Sequence, residues 1–186
     1  MSFQKTEIEG MIIFQPSIFK DSRGYFFESY NEREFTNNGV SVNFIQDNQS
    51  LSYYGVIRGL HYQLNPNAQT KLVRVLYGKI LDVAVDIRQG SPTYGKNFSI
   101  ELSSDNNTQL LIPPGFAHGF SVLSEQAIVL YKCDVFYDKN SEAGIRFDDQ
   151  DLNIEWGIPA SKIIISEKDR QLPPFGNCKN NFVYSV

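Results

Sequence analysis

The sequence predicts an all-β fold, a jelly-roll barrel (double-stranded β-helix) carrying only a few short peripheral helices. Three observations point there. Runs rich in Val, Ile, Tyr and Phe recur along the chain, among them "GMIIFQPSIF", "RGYFFESY", "VNFIQDN", "KLVRVLYGKILDVAVDI", "KNFSIELS", "TQLLIPP", "QAIVLYKCDVFY" and "SKIIIS". Gly, Pro, Asn, Asp and Ser punctuate these runs roughly every ten residues, the spacing of short strands joined by turns. Within several runs the side chains alternate, as Leu81, Val83, Val85 and Ile87 do against Asp82, Ala84 and Asp86. Two sheets built from such strands can close on a cavity wide enough for a small ligand.

Taken in order, "GMIIFQ" is an apolar N-terminal strand that would be an exposed edge unless a second copy covers it. "YNEREFTNNG" suits a short helix, with Asn31 as N-cap, acidic residues in the first turn and Asn-Gly at the end. His61, in "GVIRGLHYQ", reads as sitting at the start of a strand. Pro113-Pro114-Gly115 forces a tight turn after an apolar strand, so His118 opens the next strand near the mouth of the barrel. From "FDDQDLNIEWGIP" onward the prolines permit only short turns.

With 186 residues the chain suits one domain with a substantial core. A formal charge of -4 supplies no cationic field for nucleic acid or an anionic membrane, so any anionic ligand must be met by a few local cations. The N-terminal "MSFQKTEIEG" lacks the basic and apolar regions of a signal peptide, and no stretch reaches the ~18 apolar residues of a membrane span. A cytoplasmic location is expected. Cys133 and Cys178 lie in no metal-binding spacing and read as reduced structural thiols.

The chemistry is narrowed by what the chain lacks. Barrels of the cupin type commonly hold a metal through an H-x-H pair, but here Gln63 stands where the second histidine would be. The usual imidazole- or thiolate-rich metal site is therefore not expected. The sequence has no G-x-S-x-G elbow and no glycine-rich phosphate loop. What remains is proton transfer by His, Tyr, Lys and carboxylates, in which a neutral imidazole oriented by a carboxylate is a base suited to physiological pH. With only two histidines in the chain, His61 and His118 at two strand starts suggest one shared pocket.

"DSRGYFFESY", "FIQDNQS", "GVIRGLHYQ", "LIPPGFAHGF", "VLYKCDVFY", "EAGIRFDD" and "ISEKD" occur in an order and spacing that resembles the dTDP-4-dehydrorhamnose 3,5-epimerases, as does the long run from Lys71 to Lys96. The resemblance runs from about residue 10 to about residue 175. It implies a cofactor-free epimerase of a nucleotide-linked 4-keto-6-deoxy sugar, on a cupin-like subunit that forms a homodimer and exchanges N-terminal strand material. By that resemblance His61 is the general base, Asp169 its carboxylate partner, and Tyr131 the acid that returns a proton from the opposite face of the sugar. Arg58 and Lys71 match cations near the C4 oxygen, and His118 lines the same pocket. Tyr137 falls where the family places a second aromatic hydroxyl beside the sugar. Arg23 and Glu28 match positions that reach the ligand across the dimer interface, and Gln46, Asp47, Asn48, Glu142 and Lys168 match the remaining contacts.

Read singly, the same residues have plainer roles. Ser166-x-x-Asp169 is also a capping box, Tyr131 could be core, Lys71 a guard at a sheet edge, and Arg23-Gly24 a surface turn. Gln49 and Phe136 depart from the residues common in the family, which bears on the shape of the pocket. A mono-epimerase acting at C3 or C5 alone, or a non-catalytic sugar-binding cupin, are the alternatives at this stage.

Overall fold

The computed structural model describes residues 1–185. In chain order its elements are β1 (Ser2–Lys5), β2 (Ile12–Gln15), β3 (Phe19–Asp21), β4 (Gly24–Phe26), α1 (Glu32–Asn37), β5 (Gln46–Tyr53), β6 (Ile57–Gln63) and β7 (Lys71–Tyr77). There follow β8 (Lys79–Asp86), β9 (Asn97–Ser103), β10 (Gln109–Ile112), β11 (Phe116–Val122), β12 (Gln126–Cys133), β13 (Glu142–Gly144) and the single-turn α2 (Glu167–Arg170). One sheet has the order β1-β2-β10-β7-β12-β5, the other β13-β6-β11-β8-β9, and β3-β4 forms a separate hairpin. The expected jelly roll is present.

Its organising feature is that chain neighbours keep changing sheet. Strands β5, β7, β10 and β12 belong to one sheet while β6, β8, β9 and β11 belong to the other. The run "KLVRVLYGKILDVAVDI" is therefore two strands on opposite layers, cut at Gly78. That glycine has φ +77, and a Cβ there would lie 2.1 Å from the backbone oxygen of Gln126, so no other residue fits the corner.

Strand β8 is buried on both faces from Asp82 onward, whereas its alternation of apolar and polar residues describes burial on one face. Ile80 and Ala84 join the core between the sheets with Val73, Val75, Leu110, Phe120 and Val129. Val83, Val85 and Ile87 face the other way, under a C-terminal cover that includes Trp156, Ile165 and Phe182. Helix α1 forms where expected, with Asn31 Oδ1 accepting from the amides of Arg33 and Glu34. Its Phe35 packs on Phe14, Leu72 and Leu111, on the face of the six-stranded sheet turned away from Val73 and Leu110.

Three expectations need correction. The apolar N-terminal strand β2 is not an edge, because it pairs with β1 on one side and β10 on the other; β1 takes the edge. "SKIIIS" forms no strand beyond one bridge, Val56 to Ile164, because a 3₁₀ turn occupies Ala160–Lys162 and Ser166 already caps α2. Neither histidine opens its strand at a mouth: His61 lies inside β6 and His118 inside β11, and each strand is paired on both sides. Among the described residues no helix is long and apolar enough to cross a membrane.

Candidate active site

The two histidines of the chain are direct cross-strand partners, His61 on β6 opposite His118 on β11. Next to this pair the register slips, since Phe120 pairs with Arg58, so three residues of β6 span what two residues of β11 span. The extra residue is a β-bulge, and it solves a geometric problem. Arg58 and His61 are an odd number of positions apart and in a regular strand would face opposite ways, but across the bulge both line one cleft. Gly59 makes it possible: its φ is +111, and a Cβ would lie 2.6 Å from the backbone oxygen of His118 and 2.7 Å from Gly119 Cα. Gly119 is equally confined, its Cβ position being 2.7 Å from the oxygen of Arg58.

The cleft has a volume of 140 Å³. From the five-stranded sheet it receives Arg58, His61 and His118; from the six-stranded sheet, Tyr131, Lys71, Asn48, Gln49 and Ser50. His61 and Tyr131 therefore belong to opposite walls.

Each histidine is held by its own aspartate. Nε2 of His61 lies 2.8 Å from Oδ1 of Asp169, whose other oxygen accepts from the Gly59 amide at 3.3 Å. Asp169 reaches the cleft because the segment before it docks on the start of β6, through Ile57 N to Ile164 O at 2.9 Å and Ile164 N to Gly55 O at 2.8 Å. Ser166 then caps α2 by accepting from the Asp169 amide at 3.1 Å, so the capping box and the carboxylate partner are the same aspartate in two roles. Burial works to raise the Asp169 carboxyl, but hydrogen bonds from His61, Gly59 and Ser166 together hold it below the usual carboxylate range. An ionised Asp169 can only accept, so the His61 proton sits on Nε2 and Nδ1 is left with a free lone pair.

Nε2 of His118 lies 2.8 Å from Oδ1 of Asp82, a fully buried carboxylate whose Oδ2 has no hydrogen-bond partner among the described residues. Burial pushes the His118 imidazole down, with Lys71 and His61 adding to the effect and Asp82 opposing it. Lys71, partly buried, donates to the carbonyl of His61 at 3.5 Å and lies 5.8 Å from the centre of the Tyr131 ring. Burial pushes its ammonium down, against the pull of Cys133, Asp82 and Glu142. The Tyr131 phenol is pushed up by burial and by Cys133, with Arg58 opposing. Tyr131 thus keeps its proton at neutral pH and can donate it. Arg58 is aimed by Nε to Ser52 Oγ, 2.9 Å.

Around the cleft, Tyr137 Oη donates to Glu142 at 3.0 Å and Lys168 Nζ reaches the same carboxylate at 2.6 Å. Partial burial works to raise Glu142, but the bonds from Lys168 and Tyr137 hold it down. Gln46 bonds to Asn48 at 3.0 Å and accepts from the Tyr137 amide at 3.1 Å. Gln46, Tyr137, Glu142 and Lys168 thus adjoin the cleft without lining it, and three further expected residues lie away from it in their own chain. Alternation along β5 turns Asp47 to the outer face, where it pairs with Lys132 at 3.0 Å. Arg23 is exposed on the β3-β4 hairpin and bonds to Asp21, and exposed Glu28 accepts from Asn31 at 3.3 Å. Asp82, Ser50 and the Gly59-Gly119 crossing escaped the sequence reading. The signal for Asp82 was there: a charge flanked on both sides by apolar residues in β8. No cluster of three or more metal-ligating side chains occurs among the described residues.

A family model described as dTDP-4-dehydrorhamnose 3,5-epimerase matches residues 5–177. The chain belongs to that family. It is 52% identical over 170 residues to the dTDP-4-dehydrorhamnose 3,5-epimerase of Shigella flexneri, an alignment covering 91% of this chain and 93% of the relative. Among solved structures, the epimerase of Elizabethkingia anophelis NUHP1 superposes with a TM-score of 0.90 at 50% identity, covering 95% of this chain and 97% of that one. The dTDP-6-deoxy-D-glucose-3,5-epimerase of Legionella pneumophila Philadelphia 1, solved with dTDP-4-keto-L-rhamnose, gives 0.91 at 42% identity, covering 95% and 93%. Family membership and the jelly roll agree.

The state of His118 is open to direct measurement. Its folded-state pKa lies below its unfolded value, so at about pH 6, below the ordinary ~6.5, the unfolded chain takes up a proton that the folded chain refuses. Ring ¹⁵N shifts should show His118 still neutral there, and its contribution to stability should fall as the pH drops. A ring that titrates at the ordinary value would contradict this.

Proposed function

We propose that the protein is a dTDP-4-dehydrorhamnose 3,5-epimerase that converts dTDP-4-dehydro-6-deoxy-D-glucose to dTDP-4-dehydro-L-rhamnose by proton transfer, without a cofactor, in a dTDP-L-rhamnose biosynthetic route. The observation that carries the reading is the placement of an Asp169-oriented His61 and a protonated Tyr131 on opposite walls of one cleft. Inversion of a carbon next to a ketone needs a base on one side and an acid on the other. C3 and C5 both flank the C4 carbonyl, so one such pair serves both centres as the ring turns between two orientations.

In this scheme His61 Nδ1 takes the α-proton, the electron pair of the C–H bond moves into the enolate, and negative charge gathers on the C4 oxygen. Arg58 stands in the cleft as a fixed positive group for that charge, with Lys71 Nζ a further donor beside it; such preorganised stabilisation is usually the largest contribution to lowering a barrier of this kind. Tyr131 Oη then gives its proton to the opposite face of the same carbon. The resulting phenolate and imidazolium return to their starting states by proton exchange with solvent. Asn48 and His118 line the sugar cleft, while Gln46, Tyr137, Glu142 and Lys168 adjoin it and suit the rest of the substrate.

Arg23, Glu28 and Asp47 lie outside the cleft of their own chain, which accords with a homodimer in which N-terminal material is exchanged and the partner completes the nucleotide site. The β3-β4 hairpin carries Phe19, Tyr25 and Phe26 at 64%, 62% and 66% exposure, and β5 and β7 expose Leu51, Tyr53 and Tyr77 on their outer face. Apolar surface of that extent calls for a cover. A single domain acting in the cytoplasm completes the reading.

In deuterated water the enzyme should place deuterium at C3 and C5 with no added metal or nucleotide cofactor; absence of exchange at both carbons would end the proposal. His61→Ala should lower kcat by about 10²- to 10⁴-fold, and Asp169→Asn by a comparable factor, because an amide can donate to Nε2 and drive the ring proton onto Nδ1. Near-normal turnover in His61→Ala would place the base elsewhere. Light scattering at micromolar concentration should report a dimer, and a monomer would remove the shared-site reading.

A further inference from the structure

Gln63 follows His61 by two residues on β6, at the position where a metal-binding barrel would carry its second histidine. Its side chain is buried, with 5% exposure, and forms no bond to any group assigned to the chemistry. All of its bonds go to backbone. Nε2 donates to Asn67 O at 2.6 Å and to Phe136 O at 3.3 Å, and Oε1 accepts from Asp138 N at 2.7 Å. Two carbonyls and one N–H fit a glutamine amide in only one orientation.

Two of those bonds bracket Tyr137, one to the carbonyl of the residue before it and one to the N–H of the residue after it. The N–H of Tyr137 itself donates to Gln46 Oε1 at 3.1 Å. Backbone groups of residues 136, 137 and 138 are thus held in succession by two glutamine side chains from β6 and β5. Apolar burial does not fix this loop, because Phe136 and Tyr137 are 66% and 54% exposed. An aromatic ring left open to solvent on a backbone pinned by a buried amide is preorganised for a ligand and contributes little to a core.

We infer that Gln63 is a positioning residue that sets the Tyr137 loop against the substrate, the metal-ligand position of the barrel having become a clamp on the binding loop. The inference rests on the reading of Tyr137 as a substrate contact. Gln63 acts on binding through Tyr137 and leaves the His61-Tyr131 proton transfer alone, so its effects separate from those of the catalytic pair.

The test is a double-mutant cycle on the full-length enzyme with dTDP-4-dehydro-6-deoxy-D-glucose. Gln63→Met removes all three bonds at similar volume, and Gln63→Asn, which keeps the amide but falls one methylene short, serves if the first variant does not fold. The expected result is a KM raised about tenfold with kcat within about threefold of the parent, the size of effect a small displacement of a positioning group produces. In a Tyr137→Ala background the same change should shift KM by less than about twofold, because the two act as one unit. A purely structural role predicts the full KM effect in both backgrounds or a joint fall in kcat, and either result overturns the inference. If Tyr137→Ala raises KM and neither Gln63 variant does, Gln63 alone is displaced from the account. If Tyr137→Ala leaves KM unchanged, the inference fails together with the placing of Tyr137, while deuterium exchange at C3 and C5 separately decides whether the epimerase reading stands.

Discussion

The hydrogen bond between Asp169 and His61, 2.8 Å long and closing a loop of 108 positions in the chain, is the constraint on which the site depends. It decides which imidazole nitrogen is free. It also explains why so much of the C-terminal region is spent on docking: the bridge at Ile164, the Ser166 cap and the Gly59 amide all serve to bring one carboxylate to one ring. A buried carboxylate is costly unless hydrogen-bonded, and here three separate donors share that task.

The proposed mechanism further requires that its acid and base come from different layers. Because strands adjacent in sequence pass from one sheet to the other, His61 on β6 and Tyr131 on β12 confront each other without any special loop to carry them. The bulge at Gly59 then adds Arg58 to the His61 wall, while Lys71, the first residue of β7, enters from the Tyr131 side. In the proposed mechanism, groups so placed would meet charge developing on an oxygen between the walls. The acidic balance of the whole chain does not oppose this, since the fields that matter act over a few ångströms between groups in the cleft.

How much of this the residues announced varies with the physics involved. Periodicity revealed the strands because burial on one face leaves an imprint of period two, as along β8, but it did not show that the Asp82 face of β8 is buried as well. Alternation could not reveal the sheet change at Gly78 inside a continuous apolar run, nor that β1 shields β2, because both depend on partners distant in the chain. The motifs around His61, Tyr131 and Lys71 were recognisable, and the fold brings them to one cleft. Counting by twos would have separated Arg58 from His61; only the Gly59-Gly119 close approach reunites them. The same rule, applied to β5, explains why Asp47 faces away while Asn48 lines the cleft. Gln63 was legible as the absence of a ligand, and its present use required the loop it holds.

The most direct measurement is the tautomer of the His61 ring, read by long-range ¹H–¹⁵N correlation on the ligand-free enzyme at a pH where the ring is uncharged. The account predicts a proton on Nε2, bonded to Asp169, and a bare Nδ1. A ring protonated on Nδ1, with Nε2 accepting, would contradict it, since the nitrogen required as base would already be occupied.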